Sequence, residues 1–190
     1  MKLTNEQIKD KIYGSIIGFA VGDAFALSTE SMTTEQIRDK YCESVISKMY
    51  GGGLGNWNPG QFSDDTEMMI VIGQAAQYHT GNFARELLYW RDSEPADIGS
   101  HIRAVFERVP QDEYYMNFED IMLKAAADVE KEHEGLGNGS LGRALVPIII
   151  DIFDAQCDEE KSSDAPWFVK QSLLTHQNQE VTDSVLQYRL

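Results

Sequence analysis

Positive charge is scarce beside negative in this sequence. Its 16 Lys and Arg stand against 31 Asp and Glu, for a formal net charge of -15. A field of that sign repels phosphate backbones and anionic bilayers over most of the surface, so neither nucleic acid nor membrane is an expected general partner. Cysteine is scarce too. Cys42 and Cys157 lie far apart and belong to no C-x-x-C or Cys/His cluster; a disulfide between them stays open, and the count gives no sign of a secreted scaffold. Long apolar runs are missing. The longest stretch, Ser15 to Leu27, is broken by Asp23 and is too short and too polar to span a bilayer. Ala24-Phe25-Ala26 has the outline of a signal-peptidase site, but Glu6, Asp10 and Asp23 come before it and the apolar core is brief. The expectation is a cytoplasmic protein. The rest of the composition is that of an ordinary globular chain: 42% hydrophobic and 25% charged over 190 residues, enough for one domain, 1–190, with a core of its own.

Helical signals dominate. Thr4-Asn5-Glu6-Gln7 has the form of a capping box, in which hydroxyl and amide satisfy the orphan N–H groups of a helix start. The following helix carries Ile8, Ile12 and Ile16 on one face. Gly14, Gly18 and Gly22 fall on another, a spacing that predicts close approach by a second helix. Four more faces repeat at a period near 3.6. They are Met68, Ile72, Ala75 and Ala76; then Ile98 to Val109; then Phe118 to Val129; then Leu141 to Ile152, with Pro147 as a local irregularity. Segments 167–174 and 181–186 also read as helical, and only Tyr41 to Tyr50 hints at a strand. The fold class expected is all-α.

Two glycine-rich connections interrupt the helices, at 51–60 and 135–140, and the charged run 158–164 reads as a solvated loop. The first connection leads into Pro59-Gly60-Gln61-Phe62-Ser63-Asp64-Asp65-Thr66-Glu67. Ser63, Asp64 and Asp65 offer three consecutive hard oxygen ligands, the chemistry that Mg²⁺ or Mn²⁺ takes. The same residues also suit helix capping, with Ser63 as N-cap and acids in the first turn facing the helix dipole; this is the commoner use, and the two are compatible.

The second connection continues as Gly137-Asn138-Gly139-Ser140-Leu141-Gly142-Arg143. It fits G-x-G-x-x-G, but a dinucleotide fingerprint must follow a strand, and this one follows the charged helical segment 124–134. Glycines ahead of a helix N-terminus can still expose N–H groups to a phosphate. An ordinary loop, with Asn138 or Ser140 capping the next helix, explains the pattern equally well. Ser140 is no hydrolase nucleophile, since G-x-S-x-G needs Gly at position 138. Glu30 follows the first helix, Asp97 reads as opening the Ile98 helix in a capping role, and His176 sits in Thr175-His176; each alone suits a structural role. His79, His101 and His133 show no metal spacing.

Taken in order, these motifs resemble those of the ADP-ribosylglycohydrolase family. Gly14-x-x-x-Gly18-x-x-x-Gly22-Asp23-Ala24 is similar to its opening helix, and Glu30 falls where the family has a glutamate in a P-V-E motif. Residues 59–67 are similar to P-G-x-[WY]-T-D-D-T, Pro95-Ala96-Asp97-Ile98-Gly99 to a D-I-G segment, 137–143 to G-N-G-S-L-M-R, and Thr175-His176 to a later T-H pair. The resemblance implies an orthogonally packed all-helical domain with a two-metal Mg²⁺ or Mn²⁺ centre, hydrolysing the glycosidic bond between ADP-ribose and an acceptor. The substrate class it implies is an ADP-ribosylated protein or a small ADP-ribose conjugate.

Carried across, Ser63, Asp64 and Asp65 become metal ligands. Glu30 and Asp97 bind ribose or activate water beside the metal. Gly137, Asn138, Gly139 and Ser140 hold the pyrophosphate, and His176 lies near the adenosine end. Position 63 is Ser for Thr, and position 142 is Gly for Met. The family's C-terminal D-x-D-[ST] has no counterpart beyond the fragment Asp183-Ser184. Its absence leaves three expectations: a compact one-metal variant, a truncated chain, or a relative that binds ADP-ribose or a protein without cleaving.

Overall fold

The helical periodicities become nine α-helices and one 3₁₀ turn among the described residues. The structure is a computed structural model, and the residues it describes are 3–42, 47–53, 55–78, 81–111, 117–154 and 165–188. Cys157, His79 and the charged run 158–164 lie outside them, as do residues 43–46 of the expected strand. The described part of 41–50 forms no strand: Tyr41 ends a helix and Cys42 is its left-handed cap. Extended pairing among the described residues is one isolated bridge, Gly52 with Trp57. No helix among them is long and apolar enough to cross a membrane. The fold class is all-α, as expected.

The chain divides into two compact units, Met1–Thr66 and Glu67–Leu190. In the first, α1 (Asn5–Ala26) starts at the capping box read from the sequence, with Thr4 and Gln7 exchanging both bonds. A second box, Thr33 with Gln36, starts α2 (Thr34–Tyr41), a helix the periodicity did not announce because none of its residues is buried. The Tyr41 hydroxyl donates to the Ser28 carbonyl at 2.7 Å, tying the end of α2 to the turn after α1. Gly53 lies against the same turn. Its φ is +68°, and a Cβ there would strike the Leu27 carbonyl oxygen, so only glycine suits.

The glycine face of α1 departs from expectation. A Cβ added at Gly14, Gly18 or Gly22 meets no atom within 4 Å. The neighbouring Tyr13, Ile17 and Val21 are exposed as well. Apolar residues surround α1 on nearly every side, so the spacing alone could not pick out the face that packs.

In the second unit, α4 (Phe83–Asp92) and α5 (Ser100–Glu107) pack on α6 (Phe118–Glu132). The core between them includes Leu87, Ile102, Val105, Phe106, Met122 and Val129, together with Met68 and Ile72 of α3 (Asp64–Gln77). Each of the larger side chains stabilises by about 1.5–3 kcal/mol when fully buried. A smaller cluster joins Ala144, Ile148, Phe168, Val169 and Val185, where α7 (Leu145–Asp154), α8 (Trp167–Leu173) and α9 (Gln179–Tyr188) meet. Pro147 falls in the first turn of α7, where its missing N–H costs no intrahelical bond. Ile152, expected on the buried face, is exposed.

Candidate functional site

The sequence places a serine and two acids where a glycine-rich loop becomes a helix, and the structure adds a fourth group. Ser63 precedes α3, and its hydroxyl accepts from the Asp65 N–H at 3.2 Å, as a helix cap does. That hydroxyl donates in turn to Asp23 Oδ1 at 2.8 Å. Asp23 Oδ2 accepts from the Ser63 N–H at 3.0 Å, the Thr66 N–H at 3.2 Å and the Thr66 hydroxyl at 2.5 Å. The carboxylate near the end of α1 thus gathers two backbone donors of the α3 start, where negative charge is favoured. The capping reading of Ser63 is correct, and Asp23 is its anchor.

Asp64 is buried and Asp65 half-buried on the same turn. As a donor set these two carboxylates and the hydroxyl are all hard oxygen. Ser63 Oγ has already spent its proton and one lone pair, leaving one lone pair. Among the described residues no group of three or more His, Cys, Asp or Glu is placed to hold a metal ion. Glu30 belongs to the same unit and is exposed in the turn that follows α1.

Asp97 lies in the second unit, half-buried in the segment between α4 and α5. It does not open the next helix. α5 begins at Ser100, with Gly99 as its cap and no side-chain cap bond. The acid sits too early in the chain to reach the first turn's donors as an N-cap.

Two other candidates of this unit, Gly137 and Gly139, lie against His176. The loop 137–140 runs so close to it that a Cβ on Gly137 would stand 3.1 Å from His176 Nε2, and one on Gly139 2.7 Å from Ile102 Cδ1. Close packing is thus one requirement for those glycines. Ser140 is fully buried, its hydroxyl accepting from Ser172 Oγ at 2.8 Å and its carbonyl from Gln171 Nε2 at 3.1 Å. Neither Asn138 nor Ser140 caps the next helix through its side chain. A 3₁₀ turn, Gly142–Ala144, comes first, with Leu141 at its cap and no side-chain bond.

Behind the loop lies a fully buried arginine. Arg143 Nε donates to Gln171 Oε1 at 2.5 Å, while Nη2 donates to the Gln171 carbonyl at 2.9 Å and to Thr175 Oγ1 at 2.5 Å. Thr175 Oγ1 lies 2.8 Å from His176 Nδ1. His101 stacks on His176 with ring centroids 4.5 Å apart, and its Nε2 donates to the Thr175 carbonyl at 2.8 Å. Burial above all, then the Arg143 charge and His101, push the His176 pKa down to about 2. The imidazole is neutral throughout the physiological range.

The structure thus joins Ser63 and the start of α3 to Asp23 in one unit, and Gly137 and Gly139 to His176 in the other. Sequence reasoning gave no role to Asp23, Arg143 or Thr175. An acid interrupting the longest apolar run, and a cation just ahead of the apolar stretch 144–150, were the signals on offer.

A family model described as ADP-ribosylglycohydrolase matches residues 4–188. The chain belongs to the ADP-ribosylglycohydrolase family. Among curated relatives, the ADP-ribosyl-[dinitrogen reductase] glycohydrolase of Rhodospirillum rubrum is 28% identical over 186 residues, 96% of this chain and 56% of the relative. ADP-ribosylarginine hydrolase Tri1 of Serratia proteamaculans is 27% identical over 110 residues, 52% of this chain and 28% of the relative. The chain spans about half the length of the Rhodospirillum glycohydrolase, at 56%.

Proposed function

We propose that this chain hydrolyses the glycosidic bond joining ADP-ribose to an acceptor, such as a modified protein side chain or a small conjugate, with Mg²⁺ or Mn²⁺ as cofactor. One observation carries the reading: a member of this family holds its serine and two acids in a turn fixed by four hydrogen bonds to Asp23. Preorganised oxygen ligands favour binding because their geometry is set before the cation arrives. In this reading Ser63, Asp64 and Asp65 hold the cation, which when bound polarises water and orients ribose hydroxyls. Glu30 and Asp97 bind the ribose or accept a proton from the attacking water. Hydrolysis forms a bond from water oxygen to the anomeric carbon, breaks the bond to the acceptor and returns a proton to that acceptor. The Gly137 to Ser140 loop takes the pyrophosphate, and His176 the adenosine end.

The test is ADP-ribose release from arginine- and serine-linked substrates with Mg²⁺, with Mn²⁺ and with chelator. Release that depends on metal, and falls at least about a hundredfold in Asp64→Asn and Asp65→Asn, is the expected result. Full activity in both variants would overturn the metal assignment. A second reading, ADP-ribose binding without cleavage, is motivated by the lack of a D-x-D-[ST] counterpart in this sequence. Saturable ADP-ribose binding with no turnover under any metal condition would favour it.

A further inference from the structure

The buried arginine of the second unit has a bearing on how His176 can meet a ligand. Arginine has only protons to give, so Thr175 Oγ1 must accept from Arg143 Nη2. Thr175 is fully buried, and of the two groups its hydroxyl meets only His176 Nδ1, 2.8 Å away, can accept, so satisfying the hydroxyl proton directs it there. An imidazole whose Nδ1 accepts, and which is neutral, carries its proton on Nε2. Nε2 is also the atom that faces Gly137, at 3.1 Å from where a Cβ would stand. His176 is 1% exposed, no described residue accepts from Nε2, and that nitrogen is not among the side-chain atoms sealed from solvent without a partner. The little surface left to this residue therefore includes Nε2.

We infer that Arg143 is a positioning residue: through the Thr175 hydroxyl it locks His176 as an Nε2–H donor, aimed past Gly137 at an acceptor atom on the ligand of this loop. The inference rests on the ADP-ribose reading for the identity of that ligand, and on the geometry alone for the tautomer. The device selects by chemistry. A neutral N–H donor welcomes an uncharged acceptor, such as a ring nitrogen or a hydroxyl, whereas the Nδ1–H tautomer would present a lone pair to the same atom and repel it. The titratable and charged groups around the ring are Arg143 of the 3₁₀ turn and His101 of α5, with Glu130 of α6 bordering Gly135 beside His101.

The experiment is long-range proton–nitrogen NMR on the full chain with nitrogen-labelled histidine, with and without ADP-ribose as the probe. His176 is expected to show an unprotonated Nδ1 and a protonated Nε2 from roughly pH 5 to 8, where free imidazole titrates. ADP-ribose should then shift the Nε2 resonance. Thr175→Val, which keeps the shape and removes the hydroxyl, should mix the tautomers and weaken ADP-ribose binding about tenfold, and Thr175→Ser should restore both. A wild-type ring that is cationic or carries its proton on Nδ1, in protein that binds ADP-ribose, would overturn this inference alone. Binding that leaves Nε2 unmoved would overturn the donor role. A correct tautomer in folded protein that does not bind ADP-ribose would count instead against the functional reading, and with it the ligand named for the donor. Should Thr175→Val not fold, the wild-type and Thr175→Ser spectra decide.

Discussion

Two ionic side chains organise the two units, and they do so by opposite means. In Met1–Thr66 a carboxylate, Asp23, accepts four hydrogen bonds at a helix start and stays partly open to solvent. In Glu67–Leu190 a guanidinium, Arg143, donates its hydrogen bonds from a place sealed from water. An accessible carboxylate can trade protein donors for water, so its loss is softened. A buried cation cannot, and its partners are stranded when it goes. The first arrangement fixes a helix start, the second braces a buried 3₁₀ turn against α8.

Five changes test that contrast, from the largest expected effect to the smallest. Arg143→Met should cost about 3–5 kcal/mol, since Gln171 and Thr175 lose their donors in a dry interior. Urea denaturation measures it, and a loss under about 1 kcal/mol would show that the interior rearranges or admits water.

Acid should act through the same region. His176 has a folded pKa of about 2, far below that of an unfolded histidine, so the unfolded chain binds the extra proton. The stability this group contributes is complete above about pH 6.5 and is lost as the pH falls toward 2, with a limiting slope of about 1.4 kcal/mol per pH unit. Denaturation midpoints between pH 7 and pH 4.5 should show this dependence, and His176→Gln should flatten it. An unchanged slope in the variant would assign the effect to other groups.

Asp23→Asn comes next. It keeps the shape but turns one oxygen into a donor facing donors, a loss of about 1–3 kcal/mol. By the same contrast its effect should stay below that of Arg143→Met. The glycines give the smallest effects and a change of sign. Gly137→Ala forces its methyl against His176 and should destabilise by about 1–2 kcal/mol. Gly18→Ala meets open space on a helix and should stabilise by about 0.5–1 kcal/mol. Thermal melts of the pair suffice, and equal signs would refute the packing explanation for the loop.

Much of this was legible beforehand, for reasons that mark where legibility ends. α5 and α6 could be read because their buried faces repeat at the helical period, Ile102 with Val105 and Phe106, Met122 with Ala125 and Val129. The helix α2 could not, because nothing in it is buried. The cap at Ser63 was visible as a local pattern, while its anchor at Asp23 was not, since the two are 40 residues apart and no local rule links them. Gly137 and Gly139 were read for the N–H groups they can expose, yet the structure shows what they make room for. Gly14 and Gly18 were read as making room for a second helix, yet a Cβ at either meets nothing within 4 Å. Composition cannot separate those cases, because a missing side chain leaves no record of what fills its place.

The distance between Asp23 and Ser63 also bears on how the chain assembles. Closing a loop of 40 residues costs roughly 3 kcal/mol in chain entropy. The four hydrogen bonds of the clamp return about 1 kcal/mol each, so the closure is nearly balanced and gains little until α1 and α3 already stand. The serine–aspartate turn is therefore a late event in folding and an early one in local opening. Amide exchange at Asp65 and Thr66 should run ahead of exchange in the body of α3, on a timescale at which that helix stays formed.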